Sequence, residues 1–173
     1  MSIGGISAGG HISCVIQHMA RDAGVPLKLC MPSVPGVTDA GTYRSYHDSP
    51  YASFRELRLA PILPWGRIQW FGRHTIPREK EAETRALWPD FWLAPIRAPN
   101  WSGLCDTFIR TAEIDPLRDE GEAYGMKLVA GGSKVTIKRY LGCPHTFMAM
   151  TFLGQKHQYD DDAIAALRAA HGL

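Results

Sequence analysis

Gly4-Gly5-Ile6-Ser7-Ala8-Gly9-Gly10 decides how this chain is read. It follows a short apolar stub, Met1–Ile3, and leads into a run where Ile12, Val15, Ile16 and Met19 recur at helical spacing. That run ends at Asp22-Ala23-Gly24 with Pro26 beyond, which is how a helix stops. The order is therefore strand, tight turn, helix. Gly5-x-Ser7-x-Gly9 fits the G-x-S-x-G elbow, a sharp turn that holds a serine in a strained backbone conformation and exposes its hydroxyl. Glycines are expected on both sides because a Cβ on either would collide with the neighbouring strand and helix. A helix starting near Ala8 would also aim its positive end and free N–H groups at the serine. The plainer alternative is a serine that caps a helix in a glycine-rich turn.

Outward from the elbow, Pro26–Pro32 is a short apolar run bounded by prolines and reads as a buried strand. From Pro32 to Pro99 lie nine of the 12 prolines and, counting Trp101 just beyond, all 5 tryptophans. We read this stretch as short helices and loops over a sheet edge, with residues 43–99 as a helical, cap-like insertion. Trp65–Phe71 and Glu79–Trp92 are its predicted helices. Regularity then returns. Thr107–Ala112 reads as a strand, Asp119–Val129 as a helix ending at Gly131-Gly132, and Val135–Tyr140 as a strand in strict alternation. Asp160–His171 reads as a terminal helix with acidic residues in its first turn. Strands alternating with helices predict an α/β fold, a mostly parallel sheet covered by helices, with 1–173 as one domain.

A serine nucleophile needs a base and an orienting acid, and loops after later parallel strands deliver such groups to one rim. Asp115 follows the strand that ends near Ala112, and His145 follows the last strand, after Gly142-Cys143-Pro144. Serine, aspartate, histidine is the chain order of the α/β-hydrolase triad. Asp115 could instead be a turn residue before Pro116, with Asp119 capping the next helix, and His145 a buried structural histidine.

Three separate motifs in this order resemble the hormone-sensitive-lipase-like esterases, the fold-3 group of α/β-hydrolases. They are Gly5-Ile6-Ser7-Ala8-Gly9-Gly10, the block Thr111–Glu122 around Asp115-Pro116-Leu117-Arg118-Asp119-Glu120-Gly121, and Lys138–Gly142 leading to Pro144-His145-Thr146-Phe147. Ser45-Tyr46, Pro61-Ile62-Leu63-Pro64 and Trp70-Phe71 are similar to that family's segment between the second strand here and the acid loop. The resemblance runs over most of Ser2–Phe152. It implies a partial α/β-hydrolase fold with Ser7 as nucleophile, His145 as general base and then acid, and Asp115 fixing the imidazole. Ala8 would lend its backbone N–H to the oxyanion hole. No metal or organic cofactor is implied, and the substrate would be a small or medium acyl ester.

Two departures from the family pattern stand out. The position before the nucleophile, usually acidic there, is Ile6. The family's His-Gly-Gly-Gly loop, which supplies further oxyanion donors, has no counterpart in this sequence. The expectation is thus a chain lacking the family's N-terminal strands, with an open sheet edge. The competing reading is a catalytically impaired relative with a binding or partner-dependent role.

The rest of the sequence narrows the field. Its 173 residues suit one domain of ~100–200 residues, and 45% hydrophobic content supports a core. A net charge of +2, with both signs scattered, leaves no electrostatic footprint for nucleic acid or an anionic membrane. No apolar run reaches the ~18–20 residues of a membrane span, and glycines interrupt the N-terminus where a leader would be apolar. A soluble, cytoplasmic protein is expected, with homo-oligomerisation left open. Cys14, Cys30, Cys105 and Cys143 are widely spaced and read as reduced thiols. His11, Cys14 and His18 share a helical face with metal-ligand chemistry but lack a fourth ligand, so packing is preferred and no metal is expected. Trp65, Trp70, Phe71, Trp88, Phe91 and Trp92 either wall an acyl or alcohol pocket or fill the core of the insertion. The charges of Arg78–Arg85 read as a solvated helix face.

Overall fold

The computed structural model describes residues 1–173, the side chain of Arg78 excepted. Four parallel strands lie side by side in chain order: β1 (Ser2–Ile6), β2 (Leu29–Ser33), β3 (Thr107–Ile114) and β4 (Val135–Pro144). Parallel neighbours need crossovers, and three long helices are placed around them: α1 (Ala8–Asp22), α6 (Arg118–Ala130) and α7 (Gly154–His171). Between β2 and β3 run four short helices: α2 (Ala52–Glu56), α3 (Trp65–Thr75), α4 (Glu81–Leu87) and α5 (Asp90–Leu93).

Alternation along β3 sorts the two faces of the sheet. Ile109 packs with Cys14 of α1 and with Tyr124 and Leu128 of α6. Phe108, one residue away and on the opposite face, packs with Leu29 and Met31 against the alanine stripe Ala163, Ala166, Ala170 of α7. Beyond it, Ala112, Tyr140, Phe147 and Tyr159 close the core toward the carboxyl ends of the strands. Among the described residues β1 lies at one edge of the sheet, bonded to β2.

Several expectations need correction. The second strand spans Leu29–Ser33 rather than Pro26–Pro32, because Pro26 and Leu27 belong to the irregular segment that follows the turn at Ala23-Gly24. The single helix expected over Glu79–Trp92 is broken: α4 ends at Leu87, Pro89 follows in extended conformation, and α5 starts at Asp90. Strict alternation in the last strand is blunted because β4 is the other edge of the sheet, where only Tyr140 and Cys143 are buried. The terminal helix begins at Gly154, so Asp160, Asp161 and Asp162 lie past its first turn. Asp119 does not cap α6; Leu117 holds that position and Asp119 sits in the first turn. Nor is Arg85 merely solvated, since its guanidinium reaches Asp39 at 2.5 Å and ties α4 to the loop after β2.

Candidate active site

At the carboxyl end of β1 the chain turns through Ser7, whose φ of 55° and ψ of −113° lie where a side chain is disfavoured. Both backbone polar groups of Ser7 are tied down: its N–H donates to the Ser33 carbonyl at 2.9 Å, and its carbonyl accepts from the His11 N–H at 2.9 Å. Such over-determination is what allows a strain of ~1–3 kcal/mol to persist. The turn closes only because Gly5 has no side chain. A methyl group there would lie deep inside contact distance of the Gly9 carbonyl and 2.8 Å from Gly9 Cα. The expected collision at Gly9 itself does not occur, since a Cβ on Gly9 would meet nothing within 4 Å.

Asp115 lies just past β3, fully buried. Its Oδ1 accepts the Leu117 N–H at 3.0 Å, and its carbonyl accepts the Arg118 N–H at 3.0 Å, so it is a turn residue as well. Its other oxygen, Oδ2, stands 2.7 Å from His145 Nδ1. The opposite ring nitrogen, Nε2, stands 2.9 Å from Ser7 Oγ. A carboxylate only accepts, so Nδ1 carries the ring proton and donates it to Asp115, which leaves Nε2 to accept from the Ser7 hydroxyl. Residues 7, 115 and 145 thus form one hydrogen-bonded chain at the rim of the sheet. Ser7 is partly exposed and His145 is 3% exposed, so the hydroxyl is the outward end of that chain. Ala8 follows Ser7 as the first residue of α1, where a backbone N–H has no partner inside the helix.

Local devices aim the two loops. Tyr140 pairs with Ala112 but Pro144 pairs with Ile114, so β4 carries two extra residues in a bulge just before His145. Gly142 turns that bulge with φ 68°, and its N–H donates to the Glu113 carboxylate at 2.7 Å. Glu113 thereby links the acid loop to the histidine loop. After His145, Thr146 at φ 55° starts a turn that buries Phe147 against Tyr140 and Tyr159. The acid loop is also held from α2: Ser53 Oγ donates to the Pro116 carbonyl at 2.6 Å, and the Ser53 N–H donates to Asp119 at 2.8 Å. Beneath it, Glu120 is fully buried and accepts from the Val37 N–H at 2.8 Å and from the Thr38 hydroxyl. Burial pushes its pKa up to about 7 against the opposing pull of those bonds. None of Ser53, Glu113 and Glu120 was singled out from sequence; only the glycine at 142 hinted at a turn there.

The other candidates fall elsewhere. His11 is engaged by the carbonyls of Gly36 and Trp92 at 2.9 and 2.8 Å, and His18 Nε2 by the Tyr124 hydroxyl at 3.1 Å. Burial holds the His18 pKa down at about 4 and pushes the Cys14 thiol up to about 12. Among the described residues no cluster of three or more His, Cys, Asp or Glu side chains is placed to hold a metal. All four cysteines are free thiols. Of the aromatic residues, Trp65 packs on Tyr46 and Phe54, and Phe91 meets His18 edge-on. Trp70, Phe71 and Trp88 are exposed.

A family model described as the alpha/beta hydrolase fold matches residues 1–149. The chain belongs to this α/β-hydrolase family. That is the relationship toward which the elbow, acid and histidine motifs pointed. Among curated relatives, an AB hydrolase superfamily protein of Schizosaccharomyces pombe is 32% identical over 98% of this chain and 48% of its own length. Carboxylesterase NlhH of Mycobacterium tuberculosis is 37% identical over 79% of this chain and 40% of its own. Among solved structures, the esterase of Pyrobaculum calidifontis superposes with TM-score 0.82 at 31% identity, covering 97% of this chain and 52% of that one. This α/β-hydrolase chain spans about half the length of the relatives it matches. No helix among the described residues is long and apolar enough to cross a membrane.

Proposed function

We propose that this chain is the catalytic part of a serine carboxylic-ester hydrolase acting on small or medium acyl esters. One observation carries the proposal: the unbroken series of short contacts from Ser7 Oγ through the His145 ring to Asp115 Oδ2, 2.9 and 2.7 Å. Ser7 Oγ attacks the ester carbonyl carbon while His145 Nε2 takes the hydroxyl proton. Negative charge gathers on the carbonyl oxygen, which the Ala8 N–H and the positive end of α1 stabilise. The ester C–O bond then breaks, and His145 gives its proton to the leaving alkoxide. Water, deprotonated by the same nitrogen, cleaves the acyl-enzyme and returns Ser7. Asp115 keeps the proton on Nδ1 and stabilises the imidazolium that forms twice per cycle. In this reading residues 1–173 act as one hydrolase unit with residues 43–99 as its cap. The names of esterase relatives support the class of reaction.

Turnover of p-nitrophenyl butyrate by the purified chain, measured beside Ser7→Ala, tests the proposal. Hydrolysis lost in the variant is expected. Equal rates in two cooperatively folded proteins would overturn it in favour of a binding role.

A further inference from the structure

The chain leaving β2 is gripped from three sides. The Ser33 carbonyl accepts the Ser7 N–H at 2.9 Å, and Val34, buried and β-branched, sits at φ 41° with its N–H donating to the Arg110 carbonyl at 2.7 Å. A branched side chain at positive φ is strained, and such a conformation persists only where the surroundings over-determine it. Gly10 lets this loop come close to α1, since a Cβ there would stand 3.0 Å from the Ser33 carbonyl oxygen and 3.1 Å from Pro35 Cβ. From the α6 side, Glu120 accepts the Val37 N–H at 2.8 Å. The Val37 carbonyl in turn accepts the Ile96 N–H at 3.1 Å. Residues 33–37 are thus shared between the helix after Ser7, the helix after Asp115 and the end of the 43–99 insertion.

His11 closes this arrangement. It lies in the first turn of α1, four residues after Ser7, and is half-buried. Its ring Nδ1 stands 2.9 Å from the Gly36 carbonyl oxygen and Nε2 stands 2.8 Å from the Trp92 carbonyl oxygen. A carbonyl oxygen only accepts, so both nitrogens must donate, and only an imidazolium carries two ring protons. A neutral ring would set one lone pair against a carbonyl at hydrogen-bond distance. The backbone N–H of His11 donates to the Ser7 carbonyl at 2.9 Å, so whatever holds the ring also holds the turn that carries the nucleophile.

We propose that His11 is a positioning residue for Ser7: through both ring nitrogens it fastens the loop after β2 and the end of the insertion to the first turn of α1. Each nitrogen has its own task. The Gly36 bond steadies the loop whose Ser33 carbonyl holds the Ser7 N–H, and so bears on the chemical step. The Trp92 bond steadies α5, the last helix of the cap, and so bears on substrate binding. The clamp stands on geometry, while its effect on turnover rests on the esterase reading.

Two variants separate the tasks, because an asparagine amide nitrogen reaches about where Nδ1 stands and a glutamine amide nitrogen about where Nε2 stands. His11→Gln keeps the Trp92 bond alone, and should lower kcat for p-nitrophenyl butyrate about 10-fold with little change in KM. His11→Asn keeps the Gly36 bond alone, and should raise KM about 10-fold with little change in kcat. His11→Phe, which keeps a ring but neither bond, should show both losses; if it does not fold, the two amide variants decide. NMR reads the clamp without turnover. At pH 6, below the ~6.5 at which a free imidazole gives up its second proton, the His11 ring should carry two protons, both protected from exchange. Amide shifts should move around Gly36 in His11→Gln and around Trp92 in His11→Asn. If the parent chain does not hydrolyse the ester, the esterase reading falls, and the ring protons and amide shifts still decide the clamp. A ring with one proton, ring protons that exchange as fast as those of an exposed histidine, the same kinetic change in His11→Gln and His11→Asn, or full activity in His11→Phe would overturn the proposal.

Discussion

Replacing Gly5 by alanine tests the elbow itself, independent of any activity. The added methyl would sit 2.8 Å from Gly9 Cα and closer still to the Gly9 carbonyl. Neither side can yield easily, since Gly5 is in register with Pro32 of β2 and Gly9 lies in the first turn of α1. Overpacking of a flexible core costs ~1–3 kcal/mol, so backbone meeting backbone here should cost at least ~3 kcal/mol. For a chain of this size, about 2–4 °C per kcal/mol converts that to a melting temperature lower by roughly 6–12 °C. Gly9→Ala is the matched control, because its methyl would meet nothing within 4 Å. Alanine is the better helix former by up to ~1 kcal/mol, so this variant should be as stable as the parent or slightly more so. Urea denaturation followed by circular dichroism measures both. Gly5→Ala unfolding within ~0.5 kcal/mol of the parent, or both variants falling equally, would refute the claim that one glycine carries the turn.

Three further outcomes follow from the site. Asp115→Asn should keep the fold but lower kcat by about 10⁴, because the amide no longer holds the Nδ1 proton in place; pre-steady-state turnover of the butyrate ester measures it. Glu113→Ala should lower kcat with little change in KM by loosening the bulge at Gly142, whereas Glu113→Gln, which keeps an acceptor for that N–H, should retain most of it. Glu120 has a folded pKa of about 7 against 4.5 for the free side chain. The folded state therefore binds the extra proton between those values, and the contribution of Glu120 to stability falls as pH rises through that window, by roughly 3 kcal/mol in all. His18, its folded pKa lowered to about 4, pulls the other way between pH 4 and 6.5. The difference between the parent and Glu120→Gln isolates the first effect: the variant should gain relative stability from pH 5 to pH 8 in chemical denaturation.

The strands and long helices were legible from spacing and punctuation, as where Gly24 and Pro26 close the first helix, but the apolar period there marks the wrong face: Ile12, Ile16 and Met19 are exposed, while Ser13, Cys14, Gln17 and His18 are buried. Ser7, Asp115 and His145 were legible because each sits in a short motif at a strand end, where a parallel sheet gathers its loops. What sequence could not give is the support around them. Ser53 meets Asp119 across 66 positions, Glu120 meets Val37 across 83, and Glu113 meets Gly142 across 29. No local pattern marks such pairings. The glycine rule erred at Gly9 because one close approach needs only one of its two partners to lack a side chain facing the other. Tertiary context also overrode propensity over 79–92, where helix formers surround Pro89.

The central claim is that the Ser7 hydroxyl is an activated nucleophile, and covalent capture tests it most directly. Intact-mass measurement after incubation with a fluorophosphonate should give one adduct, mapped to Ser7, with the rate falling steeply in His145→Ala and no adduct in Ser7→Ala. A folded parent chain that remains unmodified, or an adduct that survives replacement of Ser7, would contradict the account.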